Sequence, residues 1–182
     1  MRPDWDSYFL EISRLVAARA TCPRKHVGAV VVSPDHQILS TGYNGSPPGA
    51  DHCDDVGCEL KDMGGRQSCV RTIHAEANAI AQAARNGVRI SGATVYTTAS
   101  PCYDCGKLIA NSGIKKVVFG EKYDSRYGMS GDVMGFLIKC GVIVSGFEIK
   151  WRADGQSNPK PLLSECERLG CTALQHNDKC SK

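Results

Sequence analysis

His74-Ala75-Glu76 and Pro101-Cys102-Tyr103-Asp104-Cys105 constrain the fold of this chain more than any other feature. Imidazole and thiolate are zinc ligands, and a catalytic zinc site takes three protein ligands and leaves one position for water. His74, Cys102 and Cys105 make such a set, so the fold must bring these two separated segments together. One zinc dication and two thiolates sum to zero, so the site accepts a neutral ring without a large charge penalty. Water held there has its pKa lowered toward about 7.

Spacing supports the assignment. Leu108, Ile109 and Ala110 continue an apolar pattern after Cys105, which predicts a helix from Pro101 to Asn111 with the proline near its start. Cys102 and Cys105 then share one face of the first turn. A helix N-terminus favours thiolate over thiol. His74 opens a second, alanine-rich helix running to Arg85. Glu76 falls in its first turn, facing the site, where a carboxylate can move protons between water, a ring nitrogen and leaving ammonia. A Cys-x-x-Cys by itself also fits a redox pair or half of a structural zinc knuckle. The first has no use for an upstream His-x-Glu, and the second wants a fourth ligand and no poised carboxylate.

A chain of 182 residues is most simply one domain with a substantial core. Its formal charge of +3 is too modest for a nucleic-acid-binding surface. No apolar run reaches the roughly 18 residues of a membrane span, and Met1-Arg2-Pro3-Asp4 leads into no secretory segment. Ten cysteines without such a segment, two of them assigned to metal, indicate a reduced, cytoplasmic protein.

The elements follow a regular order. Trp5 to Ala20 carries Tyr8, Phe9, Ile12, Leu15 and Val16 at helical spacing behind Asp4 as N-cap. Val27 to Val32 and Ile38 to Tyr43 form a hairpin through Ser33-Pro34-Asp35-His36. An irregular stretch runs from Asn44 to about Thr72. The His74 helix, a strand around Ala93 to Thr98, the Cys102 helix and a strand at Lys116 to Gly120 come next. A helix at Val133 to Lys139 and a strand at Val142 to Ser145 complete the order. Strands alternating with helices predict an α/β fold of three layers, α/β/α, around a mixed five-stranded sheet. Both zinc segments sit at strand ends, where such folds place their sites.

A long loop inside a compact domain is usually functional. This one holds Gly42-Tyr43-Asn44-Gly45-Ser46-Pro47-Pro48-Gly49, with His52, Cys53, Cys58 and Cys69 beyond. Spacing alone does not choose between a plain turn, a stiff linker and a functional loop. Its path from a core strand toward the catalytic helix favours a loop that faces substrate.

His-x-Glu followed by Pro-Cys-x-x-Cys is the signature of zinc-dependent nucleobase deaminases. The chain resembles more narrowly the deoxycytidylate (dCMP) deaminases of the bacterial and phage type, within the cytidine deaminase-like fold. The resemblance rests on Thr21-Cys22-Pro23-Arg24 with Val27-Gly28-Ala29, the Gly42 to Pro47 segment, Cys69 to Ile80, and Pro101 to Lys115. It covers about residues 5 to 146. The zinc motif is shared with tRNA adenosine, guanine and riboflavin-pathway deaminases, whereas Gly-Tyr-Asn-Gly-x-Pro is particular to deoxycytidylate deaminases.

The resemblance implies hydrolysis of dCMP to dUMP and ammonia, feeding thymidylate synthesis. In it, zinc-activated water attacks C4 of the cytosine, and Glu76 protonates N3 and then the leaving amine. The Ala75 N–H holds the base carbonyl, and a carbonyl near Ser100 accepts from the exocyclic amine. Asn44 contacts deoxyribose or phosphate, with Tyr123, Arg24 and Lys25 as further phosphate candidates. Solvated surface charge is an equal reading for each basic residue, and core packing the alternative for Tyr123. Relatives are often hexameric, activated by dCTP (with Mg2+) and inhibited by dTTP, which directs attention to Gly45, Ser46, Pro47 and Gly49. Arg85 reads as surface or subunit interface.

Some relatives carry a second, structural zinc. Cys22, Cys53, Cys58 and Cys69 can supply its four thiolates, with His52 as a substitute. Four cysteines around one loop in a reduced compartment fit metal better than disulfides; buried free cysteine is the other reading. Residues 1–146 are the expected catalytic domain. Residues 147–182 are an appendage with a helical-looking Leu162 to Leu169, and its Cys166, Cys171 and Cys180 have no standard zinc spacing. Partners are expected to be a small nucleotide and a homo-oligomer, without nucleic acid or membrane. The rival readings are a deaminase for dCTP, for 5-modified dCMP or for a tRNA base, and a non-catalytic zinc protein.

Overall fold

The computed structural model describes residues 2–124, 130–151 and 157–161. The first helix, α1 (Trp5–Ala17), begins where Asp4 caps it, its carboxylate accepting from the Ser7 N–H at 2.9 Å. The helix stops three residues before the expected Ala20. Two strands follow, β1 (Gly28–Val32) and β2 (Ile38–Tyr43), paired antiparallel from Gly28 opposite Tyr43 to Val32 opposite Ile38. The stretch read as irregular contains a short helix, α2 (Cys53–Val56), and a two-stranded ribbon of β3 (Leu60–Asp62) and β4 (Gln67–Cys69). Then come α3 (Ala75–Arg85), β5 (Thr94–Ala99), α4 (Tyr103–Asn111), β6 (Lys116–Glu121), α5 (Ser130–Lys139), β7 (Ile143–Trp151) and β8 (Ser157–Pro161).

The main sheet runs in the order β2-β1-β5-β6-β7-β8. β1 is antiparallel to β2 and β5, while β5, β6 and β7 are mutually parallel. The five expected strands therefore form a mixed sheet, and β8 adds antiparallel to its β7 edge. β7 passes residue 146 because Phe147, Ile149 and Trp151 alternate with Glu148 and Lys150, the period of a strand. Pro159 and Pro161 are tolerated in β8 because it is an edge strand. The Leu162 to Leu169 segment and Cys166, Cys171 and Cys180 lie outside the described residues.

Side-chain alternation along the strands makes two cores. On one face Val30, Val32, Tyr96 and Val118 pack with Phe9 and Leu10 of α1. On the other, Ala29, Val31, Val95 and Val117 pack under α3, α4 and α5 through Ala79, Ile109, Met134 and Leu137. The result is the three-layer α/β/α arrangement. β1 is buried at all five residues, which is why it reads as an unbroken Ala-Val-Val-Val run.

Two glycines set the layer spacing. A Cβ on Gly28 would run into the Ser13 carbonyl oxygen and the Ala17 nitrogen of α1. One on Gly42 would run into the Ala75 carbonyl oxygen and the Ala79 nitrogen of α3. α3 also closes the β2 edge: Asn78 Nδ2 donates to the Tyr43 carbonyl at 2.7 Å, and Gln82 Oε1 accepts from the Thr41 N–H at 3.1 Å. The helix that begins beside His74 is thereby fixed to the sheet. Among the described residues no helix is long and apolar enough to cross a membrane.

Candidate active site

His74 is the N-cap of α3 and Cys102 the N-cap of α4, and neither side chain makes the capping hydrogen bond. Cys105 lies one turn into α4, and the two helix starts converge beyond the ends of β5 and β6. There the Ser100 N–H donates to the Glu121 carbonyl at 2.7 Å. His74 Nδ1 stands 3.4 Å from Cys102 Sγ and 3.5 Å from Cys105 Sγ. A nitrogen and a sulfur bound tetrahedrally to one zinc stand about 3.5 Å apart, so the three side chains fit that ion. Glu76, 4% exposed, places Oε2 3.6 Å from Cys105 Sγ.

The titrating groups are pushed in opposite directions. A hydrogen bond from Cys105, with His74 assisting, holds the Cys102 thiol down at about 4 against its burial. The same bond, then burial and the Glu76 carboxylate, pushes Cys105 well up. Burial raises the Glu76 carboxyl above its ordinary range, with His74 opposing. Cys102 is thus the more acidic thiol of the pair, and the Glu76 carboxyl beside it is shifted toward holding its proton.

His74, Glu76 and Cys102 line a cavity of about 610 Å3. Arg24, Lys25, Asn44, Ala75, Ser100 and Tyr123, all singled out from sequence, line it. Asn44 is buried and largely committed: its Oδ1 accepts from the Val27 N–H and its Nδ2 donates to the Lys25 carbonyl, both at 2.7 Å. Ser100 Oγ accepts from the Tyr123 N–H at 2.7 Å. The Lys25 ammonium lies 4.7 Å from the Tyr123 ring centre and 3.4 Å from Glu121 Oε2. Arg24 donates to the Gln67 carbonyl at 2.9 Å. Gly45, Ser46, Pro47 and Gly49 are not on the cavity lining; Ser46 Oγ donates to the Asp51 carbonyl at 2.7 Å. Arg85 is exposed in the last turn of α3.

Gly65, Arg66, Gln67 and Ser68 also line the cavity, along with Thr72 and Asp124, and sequence reasoning passed over them. A hairpin signal was present: Gly64-Gly65, both at positive φ, separates two short segments that pair as β3 and β4.

A second cluster forms beside the cavity. The sulfurs of Cys22, Cys53, Cys58 and Cys69 all lie within 4.8 Å of one another. Cys22 and Cys58 are 3.7 Å apart, and Cys53 and Cys69 3.6 Å. Four sulfurs on one tetrahedral zinc stand about 3.8 Å apart. Burial pushes Cys58 up to about 12, whereas at Cys69 the Thr72 hydroxyl and neighbouring N–H groups overcome burial and hold it at about 7. His52 stands outside this group, exposed, as the N-cap of α2.

Residues 3–121 match the cytidine and deoxycytidylate deaminase zinc-binding region. The chain is 47% identical over 122 residues to ComE operon protein 2 of Bacillus subtilis, covering 67% of this chain and 62% of that protein. It is 45% identical over 129 residues to the deoxycytidylate deaminase of Mycobacterium phage D29, covering 66% of this chain and 98% of that protein. The crystal structure of dCMP deaminase from cyanophage S-TIM5, in complex with dCMP and dUMP, superposes with a TM-score of 0.66 at 35% identity. That match covers 80% of this chain and 98% of the other. With the matched region spanning both ligand-bearing helix starts, the chain belongs to the family of cytidine and deoxycytidylate deaminases.

Proposed function

We propose that this protein hydrolyses dCMP to dUMP and ammonia, supplying dUMP for thymidylate synthesis. The observation that carries the reading is the cavity itself. Its lining brings the zinc-type ligands His74 and Cys102 and the buried Glu76 together with Arg24, Lys25, Asn44 and Tyr123, and Cys105 completes the ligand set beside it. That is an arrangement suited to a base bearing a sugar phosphate. The complex of the cyanophage relative with dCMP and dUMP supports it.

His74, Cys102 and Cys105 would hold a zinc ion, which would supply the Lewis acidity that makes water a nucleophile near neutral pH. The chain's own residues do the rest. Glu76 takes one proton from the attacking water and gives it to N3 of the cytosine, then takes the second from the new C4 hydroxyl and gives it to the departing amine. Ala75 belongs to the first turn of α3, whose N–H groups have no partner inside the helix, and its N–H takes the base carbonyl. The Ser100 carbonyl accepts from the exocyclic amine. Asn44 keeps one amide hydrogen for the deoxyribose or phosphate, and Tyr123 and Arg24 stand by the phosphate.

A second, structural zinc on Cys22, Cys53, Cys58 and Cys69 belongs to this reading, supported by the tetrahedral sulfur spacing. Metal analysis of fully loaded protein is expected to give two zinc ions per chain; one per chain would overturn the second site. Activation by dCTP with Mg2+, inhibition by dTTP and a hexameric, cytoplasmic enzyme complete the proposal. The Gly45 to Gly49 loop, outside the cavity, is the place for effector contact.

The test is ammonia release from dCMP, dCTP, deoxycytidine and an RNA stem-loop, with and without added dCTP as effector. Turnover of dCMP that rises with dCTP is the expected result. Turnover confined to dCTP or RNA would retain the zinc chemistry and overturn the substrate.

A further inference from the structure

We infer that the four-cysteine cluster pins a wall of the substrate cavity, so that its metal governs substrate affinity rather than the chemical step. The inference rests on the second zinc of the proposed function and deepens it. The wall is the ribbon of β3 and β4. None of its residues is buried, so no core holds it in place. An isolated two-stranded ribbon is marginal in water. Yet Arg66, Gln67 and Ser68 line the cavity together with Ser100 and Asp124, which follow β5 and β6.

Both feet of the ribbon are cluster cysteines. Cys58 stands two residues before β3, and Cys69 is the last residue of β4, opposite Leu60. Their sulfurs approach Cys22 and Cys53, one leading into β1 and the other opening α2. One ion on these four thiolates ties a coreless ribbon to the body of the protein. Metal binding at such a site acts as folding energy for the segment it closes. Above the feet, two ties reach across the cavity: Arg24 to the Gln67 carbonyl at 2.9 Å, and Arg66 to the Asp124 carbonyl at 3.4 Å. They align only if the feet are fixed. His74, Glu76, Cys102 and Cys105 stand on α3 and α4, which the sheet holds independently of the ribbon.

The experiment uses Cys58→Ser, its rescue variant Cys58→His, and wild-type holoenzyme equilibrated in graded zinc buffers. Zinc content, amide hydrogen exchange and dCMP kinetics are read on each. Cys58→Ser is expected to lose one of two zinc ions and the exchange protection of residues 60–69, with α3 and α4 still protected. Its KM for dCMP rises about tenfold, with kcat changed less than about threefold, as loss of binding without loss of catalysis requires. Cys58→His, which restores a zinc ligand, returns the second zinc, the protection and most of the KM. In wild type, which needs no variant to fold, protection of 60–69 tracks one zinc equivalent. Loss of that zinc with exchange of 60–69 unchanged, or lost protection with KM unchanged, would overturn the inference. Absence of dCMP turnover in wild type would overturn the substrate reading alone, because zinc content and exchange need no substrate.

Discussion

Glu76→Gln is expected to lower dCMP turnover by about 10²–10⁴-fold, the range a positioned general acid–base group contributes, while the catalytic zinc remains bound. The amide has the size and shape of the carboxyl, so the buried pocket beside Cys105 is refilled. What disappears is the ability to take a proton at one atom and deliver it at another. Because Glu76 is 4% exposed, no bulk water stands ready to replace it. His74, Cys102 and Cys105 are untouched, so zinc stoichiometry by atomic absorption should match wild type. The melting temperature should not fall, since the amide fills the place of the buried carboxyl. Ammonia release under saturating dCMP measures the effect. Survival of most of the activity would remove Glu76 from the mechanism, and loss of zinc would make it a structural support for the ligands.

Gly42→Ala is expected to damage stability and catalysis together. The added methyl meets the Ala75 carbonyl oxygen and the Ala79 nitrogen, backbone atoms that cannot turn aside as a side chain would. Relief requires α3 to move away from β2, against the Asn78 and Gln82 bonds that hold it to the strand. Overpacking of this kind costs about 1–3 kcal/mol, and more where backbone must shift. For a domain of this size that lowers the melting temperature by several degrees. The same displacement carries His74 and Glu76 away from Cys102 and Cys105 on α4, so zinc affinity should fall with stability. Gly135→Ala is the control. It lies in α5 with no heavy atom near its added Cβ, and should be neutral or slightly stabilising. Thermal melts and zinc titrations of both variants decide the matter. Equal behaviour of the two would show that the α3–β2 approach is not a constraint.

The grouping of His74, Glu76, Cys102 and Cys105 and the order of strands and helices were legible in the sequence because each draws on short spacing. Cys102 and Cys105 share a helix turn, Glu76 follows His74 by two residues, and the strands announce themselves by β-branched runs such as Val30-Val31-Val32. Other features depended on contacts between residues distant in the chain. The ribbon of β3 and β4 went unread because its strands are only three residues long and mostly polar, so they carry little periodicity despite the Gly64-Gly65 turn. Asn44 was read as a substrate contact, but only the folded chain reveals that most of its amide is spent on the backbone of Lys25 and Val27. The continuation of β7 past residue 146 and its pairing with β8 likewise required a neighbouring strand edge to be in place.

The sequence by itself determined the layered class and the zinc-type spacing of His74, Cys102 and Cys105, since local spacing fixes which side chains share a helix turn or a strand face. Tertiary structure alone decided that four scattered cysteines converge without His52, and that a coreless ribbon walls the cavity. It also decided that Gly28 and Gly42 set how closely the helices approach the sheet. Those outcomes depend on the distance between backbones, which no local pattern encodes.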